Sequence, residues 1–408
     1  MTSETPAQPA APPKPQWQFW AVAYSLLLLL TGTNLATPLY RTYERLFGFS
    51  PVVVTLVFAA YVAALIPSLL IAGPLSDAVG RRQVLLPAVI VAAAGSAVFM
   101  LAGSTAWLFA GRIVQGIAVG AASGALTAGL TETEPNGNQR RAALMATAAS
   151  VGGLGLGPLL AGVLAQYGPA PRQLPFAVEI AALVPAAVFA ATMPGQETRT
   201  RWRPRRPQIP AAARQVFLVS GTANFLAFAV IGLFLALVPT YVATLAHSGN
   251  LVLGGGTVSG MIACSVGAQI AAYGRQSHIM QVTGLSLLAC GLVLLAIAGA
   301  ASSLALLLAA AAVAGVGHGL VFLCGLTEVN NAAPASRRAD VLSSFYVIVY
   351  LGVGVPVIGA GLLATAVGLL HAVQYFALGV AALCLAVAAV RLRRATPRQN
   401  AAVPEPTQ

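Results

Sequence analysis

Glu179 and Arg112 are ionisable side chains standing inside long apolar runs of this sequence, and His318 joins them at a similar depth. An ionisable group in hydrocarbon is costly to keep, so each is a functional candidate by default. For Glu179, desolvation favours the neutral carboxyl, while a nearby Arg112 favours the charged one. A group poised between those effects can take up and release a proton as its access changes. A static salt bridge with Arg112 is the competing reading. Arg112 begins the run Arg112-Ile113-Val114-Gln115-Gly116. On a helix, Arg112 and Gly116 share one face with Gln115 adjacent, so the guanidinium can point inward beside a close helix contact. The alternative is a side chain that snorkels to the membrane interface. His318, between Gly317 and Gly319, can contact a substrate or titrate near neutral pH; a histidine bonded only to a neighbouring helix is the plainer reading.

The elements that must position these groups follow from composition. Of 408 residues, 22 are Lys or Arg and 10 are Asp or Glu, while 58% are apolar; the mean hydropathy is +0.82. A soluble chain of this size needs far more charge on its surface. Spanning a hydrocarbon core takes roughly 20 helical residues, and apolar runs of that length recur at 18–40, 52–73, 83–103, 106–130, 142–166 and 173–193. A second series follows at 214–240, 252–272, 279–300, 303–328, 340–366 and 370–391. Lipid offers no partner to an open backbone, so each run must be a helix. The short alternating strands of a membrane barrel are not present in them. The chain is therefore predicted to be an all-α membrane protein with 12 transmembrane helices.

Placing the N-terminus in the cytoplasm puts 18 of the 22 basic residues on that side, leaving out Arg41, Arg45, Arg172 and the intramembrane Arg112. This matches the positive-inside rule. The net charge of +12 then reports topology and contact with anionic lipid. No nucleic-acid partner is expected, because basic patches interleaved with aromatic residues are missing. Cys264, Cys290, Cys324 and Cys384 lie widely spaced within predicted spans. They read as small buried hydrophobes, with no disulfide framework, metal site or cofactor expected.

The sequence divides at a basic, proline-broken stretch. The expected organisation is a disordered cytoplasmic N-terminus (1–16), a six-helix bundle (17–193), a cytoplasmic linker (194–213), a second six-helix bundle (214–392) and a cytoplasmic tail (393–408). The halves carry an internal repeat. Leu130-Thr131-Glu132 with Arg140-Arg141 is echoed by Leu326-Thr327-Glu328 with Arg337-Arg338. The run from Gly155 to Gly162, containing Pro158, is echoed by Gly352 to Gly359, containing Pro356. Two similar bundles in parallel imply a site at their interface that opens alternately to each side as they rock.

Between the second and third runs lies Gly73-Pro74-Leu75-Ser76-Asp77-Ala78-Val79-Gly80-Arg81-Arg82. This resembles the pattern Gly-x-Leu-(Ala/Ser)-Asp-(Arg/Lys)-x-Gly-(Arg/Lys)-(Arg/Lys) of the major facilitator superfamily, with Ala78 as its one departure. The resemblance implies a secondary transporter with two pseudo-symmetric six-helix bundles. Gly73, Asp77, Gly80, Arg81 and Arg82 would form a conformational gate, with Asp77 facing the N-terminal end of the eleventh helix. Gly153-x-x-x-Gly157-Pro158-x-x-Ala161-Gly162 resembles the fifth-helix motif of the superfamily's drug:proton antiporters, with Ala161 in place of a glycine and Leu144 where an earlier glycine is often found. Gly153, Gly157, Pro158 and Gly162 would then serve as a helix-packing motif. The run from Arg112 resembles the fourth-helix motif Arg-x-x-Gln-Gly, whose arginine is implicated in proton coupling. Antiporters of this type often carry an acid in the first helix. Here Thr31, Thr33, Asn34 and Thr37 are found instead, which leaves Glu179 as the proton carrier beside Arg112.

Further polar groups at plausible depth complete a substrate cavity of Tyr24, Asn34, Gln115, Asn224, His318 and Tyr346. Proton-coupled export of small amphipathic compounds, from a monomer in the cell (inner) membrane, is the leading expectation. Its partners would be substrate, protons and lipid. A proton symporter importing a sugar, organic acid or similar metabolite fits the same fold. A membrane-embedded enzyme would need a nucleophile–base set or metal-ligand cluster at depth, and none is seen. Nor does a Walker-type phosphate loop appear, which argues against ATP-driven transport.

Overall fold

The computed structural model describes residues 15–193, 209–275, 278–334 and 337–395. Residues 1–14, most of the linker (194–208) and the end of the tail (396–408) lie outside that set, as does the side chain of Asp77. The described chain is helical, with twelve helices long and apolar enough to cross a membrane.

The first six spans are α1 (Gln16–Gly32) continued by α2 (Tyr40–Phe47), then α3 (Pro51–Val79), α4 (Arg81–Met100), α5 (Thr105–Thr133), α6 (Gln139–Tyr167) and α7 (Leu174–Thr192). The second six are α8 (Ala211–Ala236) continued by α9 (Val238–Leu245), then α10 (Leu251–Ala272), α11 (His278–Ala300), α12 (Leu304–Ala332), α13 (Arg338–Val367) and α14 (Leu369–Ala395). Two expectations are corrected. The first span does not end at residue 40: it breaks after Gly32 and runs on to Phe47, carrying Arg41 and Arg45 on its last turns. Pro38 explains the break, since its ring has no N–H to donate and would clash with the carbonyl four residues back. The segment from Gly73 is not an open loop either. α3 continues through Asp77 to Val79, and a single residue, Gly80 at φ 100°, turns the chain into α4. Only glycine adopts that φ without strain.

The packing repeats between halves. In the first, α1 packs on α5 and α6, α3 on α5, and α4 on both α5 and α7. Their counterparts do the same in the second: α8 on α12 and α13, α10 on α12, and α11 on both α12 and α14. Across the junction α3 meets α13 and α6 meets α10, and exchanging the halves turns one of these pairs into the other. That is the pattern of a pseudo-twofold axis along the membrane normal. The first spans also share a detail: Pro38 and Tyr40 after the break in one half match Pro239 and Tyr241 after α8 in the other.

The junction is fastened on the membrane side away from the chain's ends. There, hydrogen bonds run from Arg41 Nη1 to the Ser248 carbonyl (3.3 Å), from Val52 N to Thr365 Oγ1 (3.3 Å), from Leu251 N to Gln166 Oε1 (2.9 Å) and from Ser259 Oγ to the Gly155 carbonyl (2.5 Å). Glycines set the spacing. A methyl on Gly255 would overlap the Pro158 carbonyl, and one on Gly162 would stand 2.9 Å from the Leu251 carbonyl. Toward the chain's ends, a methyl on Gly73, Gly124 or Gly267 would meet nothing within 4 Å. Gly255→Val should therefore destabilise the protein by about 1–3 kcal/mol, whereas Gly124→Ala should stay within about 0.5 kcal/mol. Unfolding of the detergent-solubilised variants tests the contrast.

Candidate functional site

The break in the first span creates a chemical need. α1 ends at Gly32, the chain turns through Thr33 to Ala36, and a short 3-10 turn (Thr37–Leu39) leads into α2. Carbonyls at a helix end have no partner within the helix, and in an apolar surrounding each must find a donor elsewhere. α5 supplies two. Gln115 Nε2 donates to the Gly32 carbonyl (3.2 Å), and Arg112 Nη1 donates to the Thr33 carbonyl. Arg112 Nε also donates to Tyr40 Oη (2.7 Å), Nη2 donates to the same oxygen, and Nη1 reaches Gln115 Oε1 at 3.3 Å. A cation at the C-terminus of a helix faces the negative end of its dipole, so the arrangement is favourable twice over.

Arg112 is fully buried, which rules out the snorkelling alternative. Four aromatic rings enclose its guanidinium, with centroids at 5.4 Å (Tyr40), 5.7 Å (Phe58), 6.0 Å (Tyr61) and 5.6 Å (Phe99). Cation–π attraction strengthens when water is excluded. The close contact expected beside it is present: the Tyr61 backbone carbonyl lies where a methyl on Gly116 would stand.

Glu179, on α7, is 4% exposed. Ser96 Oγ, on α4, donates to its carboxylate, and the same carboxylate occupies the space a side chain at Gly32 would need. Among the described residues, Arg112 and Glu179 form no ion pair, so the static salt bridge is not found. They flank the break from two sides, Arg112 through the Thr33 carbonyl and Glu179 against Gly32.

Other predicted residues divide between junction and flank. Asn34 Nδ2 donates to the Leu154 carbonyl of α6 (3.4 Å), and Gly153 and Gly157 let α6 approach the backbone of α1 at Leu27 and Thr31. Pro158 and Gly162 face α10 across the junction. Asn224 is buried, with its Nδ2 donating to the Ser220 carbonyl (2.8 Å). His318 Nδ1 lies 2.8 Å from Ser265 Oγ. Tyr346 is half-buried on α13. Tyr24 is a correction: its hydroxyl donates to the Ala182 carbonyl of α7 (2.8 Å), which sets it on the flank of the first half rather than at the junction. Of the gate residues, Arg81 pairs with Glu132 of α5 (Nη2–Oε1 2.5 Å) and Arg82 Nη1 donates to the Met193 carbonyl (3.3 Å). Both contacts stay within the first half. Glu328 pairs with Arg391 of α14 (2.5 Å).

Tyr40 and Ser96 were not anticipated from sequence. Tyr40 had a signal, the recurrence of Pro38 and Tyr40 as Pro239 and Tyr241; Ser96 had none beyond being a hydroxyl in an apolar helix.

The sequence profile of the Major Facilitator Superfamily matches residues 22–355. The chain belongs to that superfamily. It is a multi-pass membrane transporter, not an enzyme. Over 158 residues it is 29% identical to the Salmonella typhi protein named for multidrug resistance, MdtD, a stretch covering 38% of this chain and 33% of that protein. The match thus spans about a third of the length of this curated relative. Among solved structures, the peptide transporter POT in complex with sulfate is similar at a TM-score of 0.76, with 15% identity and 95% of both chains covered. The D-xylose–proton symporter is similar at 0.74, with 18% identity, covering 91% of this chain and 96% of the other. These likenesses show the fold alone, the major facilitator fold of two six-helix bundles.

If Arg112 holds the break together, removing it leaves the Thr33 carbonyl and Tyr40 hydroxyl buried without their donor. Arg112→Met should cost about 3–5 kcal/mol and Tyr40→Phe about 1–3 kcal/mol. Equilibrium unfolding in detergent should rank them in that order, with Arg112→Lys, which keeps the charge but not the forked geometry, between them.

Proposed function

We propose that this transporter exports small amphipathic compounds in exchange for protons, from the cell membrane of its host, with both termini in the cytoplasm. The observation that carries the coupling is Glu179. It is a buried carboxylate without an ion-pair partner among the described residues, set directly against the break of the first span. A proton arriving there neutralises a charge in an apolar setting and alters what Gly32 packs against. Arg112 holds the other side of the same break, so protonation and the conformation of α1 and α2 are linked through one backbone segment. α1 in turn lies against Gly153 and Gly157 of α6, and α6 is half of the junction with α10. A change at Glu179 therefore has a short path to the surfaces that must move.

Export is supported by the fifth-helix pattern from Gly153 to Gly162 and by the likeness to MdtD. On this reading, residues 17–193 and 214–392 are the two rocking units, 194–213 tethers them, and Gly73 to Arg82 works at the cytoplasmic mouth. The basic residues at the ends of α4, α6 and α14 support the cytoplasmic assignment of that side.

The test is substrate-dependent proton movement in proteoliposomes holding a pH-sensitive dye, across a panel of amphipathic dyes. Glu179→Gln should abolish proton movement while leaving energy-independent exchange of the same dye between the two sides. Normal proton-coupled transport by Glu179→Gln would refute the assignment.

A further inference from the structure

His318 sits midway along α12, between α8 and α10, and it is 4% exposed. Its hydrogen-bond partner is a serine hydroxyl on α10. Gln269 Nε2 donates to Ser265 Oγ (3.2 Å), and Ser265 Oγ lies 2.8 Å from His318 Nδ1. With Nδ1 bare, the Ser265 hydroxyl receives the amide proton and gives its own hydrogen to the imidazole nitrogen, which puts the ring hydrogen on Nε2; the substrate contact proposed below rests on that tautomer. Nε2 is buried and has no hydrogen-bond partner among the described residues, and an orphan polar atom midway along a membrane helix calls for an explanation.

Two aromatic side chains frame the imidazole. Phe228 of α8 meets it edge-on with centroids 4.8 Å apart, and Phe322, one turn further along α12, lies 6.2 Å away and nearly parallel to it. The two phenylalanines touch each other at 5.2 Å, and both are only half-buried. The side chains of this cluster (Phe228, Ser265, Gln269, His318 and Phe322) carry no charge. Arg112 spends its donors within the first half, and Glu179 is packed against Gly32. The wall thus offers aromatic surface, a single directional N–H and no counter-ion.

We propose that His318 is a substrate-reading residue whose Nε2–H donates to an acceptor on an uncharged, flat aromatic compound stacked on Phe228 and Phe322. This deepens the export reading by naming a substrate class and the side chain that reads it. The site favours neutral aromatic molecules bearing a carbonyl or ring-nitrogen acceptor over lipophilic cations. A cation would meet the positive end of the N–H dipole and no compensating carboxylate.

The test is direct binding to the purified full-length protein, with 7-methoxycoumarin as the neutral acceptor-bearing probe and ethidium as the cationic one. Wild type should bind the coumarin more tightly than ethidium. His318→Gln keeps a donor near the Nε2 position and should hold coumarin affinity within about threefold. His318→Asn, which keeps the contact with Ser265 but loses that donor, should weaken it about tenfold, as should His318→Phe. A purely structural histidine would give the opposite order, because Asn preserves the packing bond. In nitrogen-15 spectra of histidine-labelled protein, the resonances lost in His318→Asn should show the Nε2–H tautomer and shift when the coumarin is added. Tighter binding of ethidium, equal losses in Gln and Asn, or an Nδ1–H tautomer would each overturn the proposal. These measurements are made at equilibrium without a proton gradient, so they stand apart from the Glu179 assignment: either can fail while the other holds.

Discussion

A backbone carbonyl within hydrocarbon must have a donor, and the first span of this transporter leaves carbonyls open at mid-depth. Everything chemically unusual in the first half gathers around that requirement. Pro38 prevents α1 from running straight into α2. In the turn that replaces the helix, Leu35 N reaches the Gly32 carbonyl (3.3 Å) with Gln115 as a second donor, and the Thr33 carbonyl takes its donor from Arg112. A neutral donor would serve for one. Using arginine brings a full charge into the bundle, and the four surrounding rings are what make it tolerable there. The second half has the matching Pro239 but no matching arginine, and the reason is geometric. There the break is a single residue, Leu237, whose N–H still bonds to Leu233 (2.9 Å) and whose carbonyl still accepts from Tyr241 N (3.0 Å). A kink that keeps both bonds of Leu237 opens less backbone than the four-residue turn after Gly32, so the chemistry of the two halves diverges although the packing repeats.

The divergence bears on how the proposed coupling would work. A proton site and an aromatic wall on the same helix would compete for the same space. Here Glu179 lies behind α1 in the first half, while His318 and its phenylalanines belong to the second. On the proposed reading, occupancy of one does not block the other, and the contact of α6 with α10 would link the two. That separation is what an exchanger needs if proton and substrate are to act on one conformational equilibrium without sharing contacts.

The fold was almost wholly legible in the sequence, because runs of apolar residues near 20 long admit one solution in lipid. Arg112 was legible in part. Its spacing to Gln115 and Gly116 pointed the guanidinium inward, and it does point there. Its partners were not, since Thr33 and Tyr40 come from a span more than seventy residues away and meet it only after the break is formed. Separation in sequence likewise hid Ser96 from Glu179, 83 residues away, and Ser265 from His318, 53 residues away. Tyr24 shows the limit of depth as a guide: a polar residue at the right level of a cavity helix can face the flank, because one sequence does not say which of several neighbours a given face meets. Gly73 to Arg82 read as a connection between two spans, yet α3 runs through most of it, to Val79, since a proline or glycine within a long apolar helix does not end it when neighbouring helices hold it in place.

The junction itself is built to be undone. Where α6 and α10 meet, the nearest atoms are backbone, at Gly255 against Pro158 and Gly162 against Leu251. Beside these backbone contacts the Ile262 side chain packs at Gly155, and faces approaching this closely can slide or separate as units. Four hydrogen bonds on the side away from the chain's ends fasten the two halves, two of them between α6 and α10 and two at α2 and α3. At about 0.5–1.5 kcal/mol net apiece, together they hold that side shut by roughly 2–6 kcal/mol. Moving a two-state equilibrium from one side to the other takes a differential binding energy of about 5.5 kcal/mol. The fastening is therefore of the size that ligand binding, or neutralising one buried charge, can overcome.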